Sequence, residues 1–173
     1  MSERFRPSNA VRWAAERLLA IDGVHLSSGL KLHESSYRFD PEDQPDASID
    51  GMFYIDARDL LQEQPSHGNQ RVKWKVALAI MLGFHASVGA PDGAEVEQER
   101  KRVNMRAIDD CQAVIDALHD PGQYRGGETG IQTVFVQGTA TRIAQANRSE
   151  VWAIPIVVTV DSAWVLTPAG LAP

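Results

Sequence analysis

The segment RVKWKVALAIMLGFH, residues 71–85, most constrains the fold because its two alternate faces change character along its length. One face is apolar throughout, whereas the other begins with Arg71, Lys73 and Lys75 and continues with small or apolar residues. As a β-strand the segment would span roughly 45 Å, which is long for a small domain. A strand that begins with one polar face and ends with none is expected where a sheet packs against a neighbouring subunit.

Composition indicates a single domain, residues 1–173, without a membrane span. The N-terminus lacks the apolar stretch of a secretory signal, so we expect the chain to stay in the cytoplasm where it is made. The net charge of -6 disfavours tight binding to nucleic acid. The one cysteine, Cys111, cannot form an internal disulfide, and its place in an apolar helical stripe favours a buried, inert thiol.

The pattern of elements predicts an α+β fold, with a mainly antiparallel or mixed sheet flanked by two principal helices. Ser8 is the expected N-cap of a helix over about residues 9–21. Strand character follows in GVHLSS, LKLHESSYRF and MFYIDARDLL, before the long strand.

A second helix and a closing hairpin complete the predicted fold. Five apolar residues recur at helical spacing and form one stripe, namely Val103, Ala107, Cys111, Val114 and Leu118. The charged residues 95–102 before this stripe should project into solvent or against a polar partner. The last strand contains Pro155, which cannot donate to a ladder, and we therefore expect that strand to be an edge or to carry a bulge.

Residue types that carry catalysis or bind metals do not group in the sequence. The five histidines are scattered, and the acidic loop 40–50 lacks the ligand spacing of an EF-hand. We predict no cofactor, no metal site and no catalytic residue. The alternative is a small α+β enzyme that uses Asp56, Arg58 and His67, with His85 as a further candidate.

The stretches NAVRWAAERLLAIDGV, VKWKVALAIML, AVIDALHD and VWAIPIVVTV, in this order, resemble the tail terminator (tail completion) family of long-tailed bacteriophages, of the lambda type. The resemblance covers nearly the whole chain. It implies a structural virion protein of the tail or neck, a homo-oligomer whose hexameric ring ends polymerisation of the tail tube. The implied partners are the tail tube protein and the head connector or stopper protein, with genomic DNA passing the lumen without specific binding. Another neck or tail-tube component could share these elements.

The three cations of the long strand predict a subunit boundary, because the chain is acidic overall yet concentrates Arg71, Lys73 and Lys75 on one strand face. Apolar contact would provide most of the affinity and the charges would set the register. The candidate complements on a neighbouring subunit are the acidic loop and the start of the second helix, with Asp40, Glu42, Asp43, Glu95, Glu97 and Glu99.

Overall fold

A computed structural model describes residues 7–27, 29, 31–39, 49–63, 72–85, 93–119, 131–146 and 149–162. The helices are α1 (Asn9–Leu19) and α2 (Gly93–His119), and a short 3-10 turn covers Gly23–His25. The strands are β1 (His33–Glu34), β2 (Met52–Glu63), β3 (Val72–His85), β4 (Ile131–Val136), β5 (Thr141–Ala146) and β6 (Ser149–Ser162). Two helices with one six-stranded sheet confirm the predicted α+β class.

The sheet has the order β1-β2-β3-β6-β4, and β5 also pairs with β6. All neighbours are antiparallel except β1, which runs parallel to β2. β4 and β5 lie one after the other along the same side of β6, as two pieces of one interrupted strand. β5 and β6 follow each other in the chain and pair antiparallel, which is the closing hairpin that the sequence predicts.

Pro155 lies in a strand that the sequence predicts to be an edge or bulged, and the prediction of an edge is wrong. β6 lies inside the sheet and pairs with β3 without a break in register. The Pro155 carbonyl accepts from the Gln137 N–H at 2.8 Å, so the proline nitrogen also points toward the β4–β5 side. β4 pairs with residues 156–160 of β6, and β5 pairs with residues 149–153. Neither strand therefore requires a backbone N–H from Pro155.

One face of the sheet, here called the helix face, packs against α1 and α2. The helices contact each other, and the Arg17 guanidinium donates to the Ala117 carbonyl at 3.2 Å. The predicted stripe of α2 is confirmed, since all five of its residues are buried in this core. Burial, with the nearby Asp110 as a smaller cause, raises the pKa of the Cys111 thiol to about 12. The described side chains of residues 97–102 are mostly exposed, as predicted.

The N-terminal part of the chain differs from two local predictions. Ser8 occupies the N-cap position of α1, but its backbone is helical and its side chain makes no capping hydrogen bond. Gly23–His25 of the predicted strand GVHLSS form the 3-10 turn instead, and the following Leu26 is buried in the helix-face core. Of the described residues in the next segment, 31–39, only His33–Glu34 pair in the sheet.

The other face of the sheet, here called the opposite face, is covered at one end by the protein's own chain. Phe39 and Ile49 pack on Met81, Val151 and Ala153 in a second apolar cluster. A Cβ atom at Gly83 would lie 2.5 Å from the Ile49 carbonyl oxygen, so glycine permits this close approach. The expectation that a neighbouring subunit covers this apolar part of β3 is therefore wrong, since residues before β2 cover it.

Polar contacts fasten the same end of the sheet to α2. The Asp50 carboxylate accepts from the His85 N–H at 3.0 Å and forms an ion pair with Arg106, whose guanidinium lies 5.4 Å from the centre of the Phe84 ring. Asp110, which is almost fully buried, accepts from the Ser27 N–H and hydroxyl at 2.7 and 2.8 Å. This end, which includes residues 79–85 of β3, is called the covered end.

Candidate subunit interface

The other end of the sheet, called the open end, comprises residues 57–63 of β2, 72–77 of β3, 157–162 of β6 and β4. From Ala57 to Gln62 every side chain of β2 is exposed, although the strand continues to pair with β3. A bulge at Arg58 shifts the register, and beyond it Leu60 belongs to the helix face and Leu61 to the opposite face. They are 49% and 59% exposed, so β2 extends past the packing of the helices.

Both sheet edges at the open end lack a partner strand among the described residues. β1 pairs with β2 only at Met52 and Phe53, which leaves the outer side of residues 57–63 without a paired strand in that part of the chain. β4 pairs with β6 on one side and with no other described strand. Unpaired edges expose N–H and C=O groups that another strand can bind.

The opposite face at the open end carries a patch that mixes apolar and charged side chains. Phe135, which is 65% exposed, lies directly across from Val157 on β6. The row continues through Ala77 to Asp59, and both Val157 and Ala77 are only partly buried. Leu61 lies in the next row. We call Leu61, Ala77, Phe135 and Val157 the open patch.

The predicted cations lie beside this open patch. Lys73 and Lys75 share its face, and Lys75 forms an ion pair with Glu63 at 2.6 Å, with both side chains partly exposed. The hydrogen bond from Lys75 lowers the pKa of the Glu63 carboxyl. One complement of Lys75 therefore belongs to its own chain, whereas the acidic partner on a neighbour stays a prediction. Arg71 lies outside the described residues.

The predicted acidic complements fall into two groups. Asp40, Glu42 and Asp43 lie outside the described residues, as does the side chain of Glu95. Glu97 is exposed on the first half of α2, and Glu99 forms an ion pair with Arg102 at 2.7 Å on the same helix. Among the described residues neither Glu97 nor Glu99 forms an ion pair with Lys73 or Lys75, so an acidic complement from this set stays a prediction.

Of the residues of the alternative enzyme, the structure brings Asp56 and Arg58 together and leaves His85 apart from them. Asp56 pairs with Arg58 at 3.7 Å and with Arg38 at 3.6 Å, which are surface ion pairs. The His85 Nδ1 atom lies 2.8 Å from the Ser149 hydroxyl. Asp56 is opposite Ala79, six residues from His85 along β3, or about 20 Å. His67 lies outside the described residues.

The described residues hold no group of three or more histidine, cysteine or acidic side chains arranged to bind a metal ion. None of the helices in the described ranges has the length and hydropathy that a membrane crossing requires.

Sequence reasoning missed the apolar members of the open patch. In the sequence, Phe135, Leu60 and Leu61 have the pattern of ordinary core residues of strands. The sequence does not show where a strand extends beyond the helices that pack on it. A signal was present in IQTVFV, because β4 contains no charged residue whereas each of the other five strands of the sheet contains at least one. Comparison with known proteins gives no matching family model and no matching curated protein.

Proposed function

We propose that the protein is a structural virion subunit that forms a ring at the head-proximal end of a phage tail tube. The ring would end tube polymerisation and join the tail to the head connector, with genomic DNA passing through its lumen. The observation that carries this proposal is the open end of the sheet, where β2 extends past the helices with two exposed leucines and forms an edge that no other described strand pairs. A subunit that works alone gains nothing from such a surface, whereas an assembling subunit needs one.

The electrostatics of the open end support assembly over nucleic-acid binding. Lys73 and Lys75 are the described cations beside the open patch, and Glu63 already pairs with Lys75. Together with the net charge of -6, this is a poor surface for neutralising phosphates and a suitable one for aligning protein subunits. The order of elements that resembles the tail terminator family supports a tail ring as the kind of assembly.

Electron microscopy of the purified protein, alone and mixed with tail tubes of the same phage, tests this proposal. We expect ring-shaped particles, with six subunits by light scattering, and density that caps one end of each tube. Growth of tubes from free tube protein should stop when the subunit is added. A protein that forms no rings and leaves tube length and tube ends unchanged would contradict the proposal.

A further inference from the structure

Among the described strands, residues 133–136 of β4 form an outer edge of the sheet and lack the protection that such edges usually carry. Natural edge strands are shielded by lysines, prolines, inward charges or bulges. Ile131–Val136 contains no charged residue and no proline, and its one irregularity in register precedes Thr133, so residues 133–136 are regular. Thr133 and Phe135 are both exposed. A regular, uncharged edge of this kind is suited to receive another strand.

The exposed segment of β2, residues 59–63, matches this edge in its position along the strands, in its direction and in the placement of its side chains. Leu61 and Thr133 lie in one row across the sheet, through Lys75 and Thr159, so both edges belong to the open end. β2 is antiparallel to β3, β3 to β6 and β6 to β4, so β2 and β4 run in opposite directions. Rotating one copy about an axis along the strands therefore sets β4 antiparallel to β2 of the next copy.

Charge favours β4, rather than a second β2, as the partner of β2. Two β2 edges paired around a two-fold axis would bring Asp59 and Glu63 of one copy close to the same carboxylates of the other, and like charges across strands destabilise pairing. β4 has no charged side chain to oppose them. An uncharged edge and a charged edge are compatible, whereas two copies of the charged edge repel.

We propose that the outer edge of β4 pairs antiparallel with residues 59–63 of β2 in a second copy of this chain. Pairing that keeps the faces aligned places Leu61 beside Thr133 or Phe135 on the opposite face. It also places Leu60 beside the β4 residues that face the helices. Because the two edges differ, the contact is heterologous and closes into a ring or continues as a chain of subunits. The inference deepens the proposed function and rests on it only for the closure of the ring.

Disulfide trapping tests the pairing directly. Leu61→Cys is combined with Thr133→Cys in one variant and with Phe135→Cys in another, and each is oxidised mildly at concentrations where the protein associates. All three positions are exposed, so the variants keep the core. Within one copy the two strands are three strand spacings apart, about 14 Å, whereas a disulfide needs Cα atoms within about 7 Å. Any bond between these positions therefore joins two copies.

We expect at least one of the two variants to lose most of its monomer band to a ladder of dimers, trimers and larger species. The matched control combines Leu60→Cys with Phe135→Cys, which lie on different faces of the sheet, and should stay monomeric on the gel. The proposal is overturned if neither variant gives a ladder, if the protein does not associate, or if Leu61→Cys alone gives dimers and nothing larger. A ladder from protein that fails to cap tail tubes would support the pairing and contradict the proposed function.

Discussion

The two ends of β3 share one strand and one sheet, yet they differ in what covers the opposite face. At the covered end, Met81 and Gly83 lie under Phe39 and Ile49 of the same chain, and Ala79 is buried as well. At the open end, Lys73, Lys75 and Ala77 remain at least partly exposed, and β2 alongside is exposed on both faces. On this face the protein's own chain covers one end of β3, whereas the other end stays at least partly exposed, and it is this second end that we propose for association.

The sharpest test of this difference compares two apolar side chains on the same face. Met81→Ala removes a buried side chain at the covered end and should lower the free energy of unfolding by roughly 3 kcal/mol. Leu61→Ala removes an exposed one and should change it by less than about 0.5 kcal/mol. Denaturant unfolding of the two variants, below the concentration of association, measures both values. Equal losses would show that the ends are packed alike.

The close approach at Gly83 tests the cover itself. Gly83→Ala places a methyl group against the Ile49 backbone and should cost about 2 kcal/mol, because the cover must shift to admit it. Thr133→Ala, at an exposed position of the open end, serves as the control and should change stability by less than about 0.5 kcal/mol. Thermal and denaturant unfolding report the difference. A neutral Gly83→Ala variant would show that Ile49 does not lie on this strand.

The thiol in the helix-face core gives a smaller effect. Cys111→Ser buries a hydroxyl and should lower the free energy of unfolding by about 1 to 2 kcal/mol, with association of the folded fraction unchanged. Because burial raises the pKa of Cys111, its thiol stays protonated at pH 8 and should react with a bulky thiol reagent only after unfolding. Rapid labelling of the native protein would contradict this packing.

The two lysines of β3 should matter least for stability and most for association. Lys73→Glu with Lys75→Glu should move the melting temperature by only about 2 °C, because exposed ion pairs contribute little. The same change should raise the concentration needed for association by about tenfold or more, through repulsion by Glu63 and by acidic groups of a neighbour. Arg12→Glu with Lys31→Glu alters the net charge equally at exposed sites away from the open end and should leave association unchanged. Normal assembly of the lysine variant at physiological salt would show that Lys73 and Lys75 do not lie in the interface.

Local periodicity predicts the elements of this fold better than it predicts what covers them. The predicted stripe of α2 and the predicted alternation of β3 are both confirmed, because burial on one side of an element leaves a regular pattern in the sequence. The cover over Met81 depends on Phe39 and Ile49, which lie in a segment with little strand pairing of its own and give no periodic signal. Pro155 was misplaced for a related reason, since the break that accommodates it lies in the neighbouring strand.

The candidate site shows the same limit. The sequence indicates the cations of β3 directly, because charges on one strand face are visible without a structure. Phe135 and Leu61 become part of one surface only when β3 and β6 are placed between their strands, and that order depends on contacts far apart in the chain.

Amide hydrogen exchange below and above the concentration of association tests the central claim most directly, namely that the open end is bare in a single subunit and covered in an assembly. Peptides from residues 79–84 should be strongly protected at both concentrations, because the cover belongs to the chain itself. Peptides from 57–63 and 131–136 should exchange faster in the single subunit and gain protection on association. Association that leaves exchange in both of these segments unchanged would contradict the account.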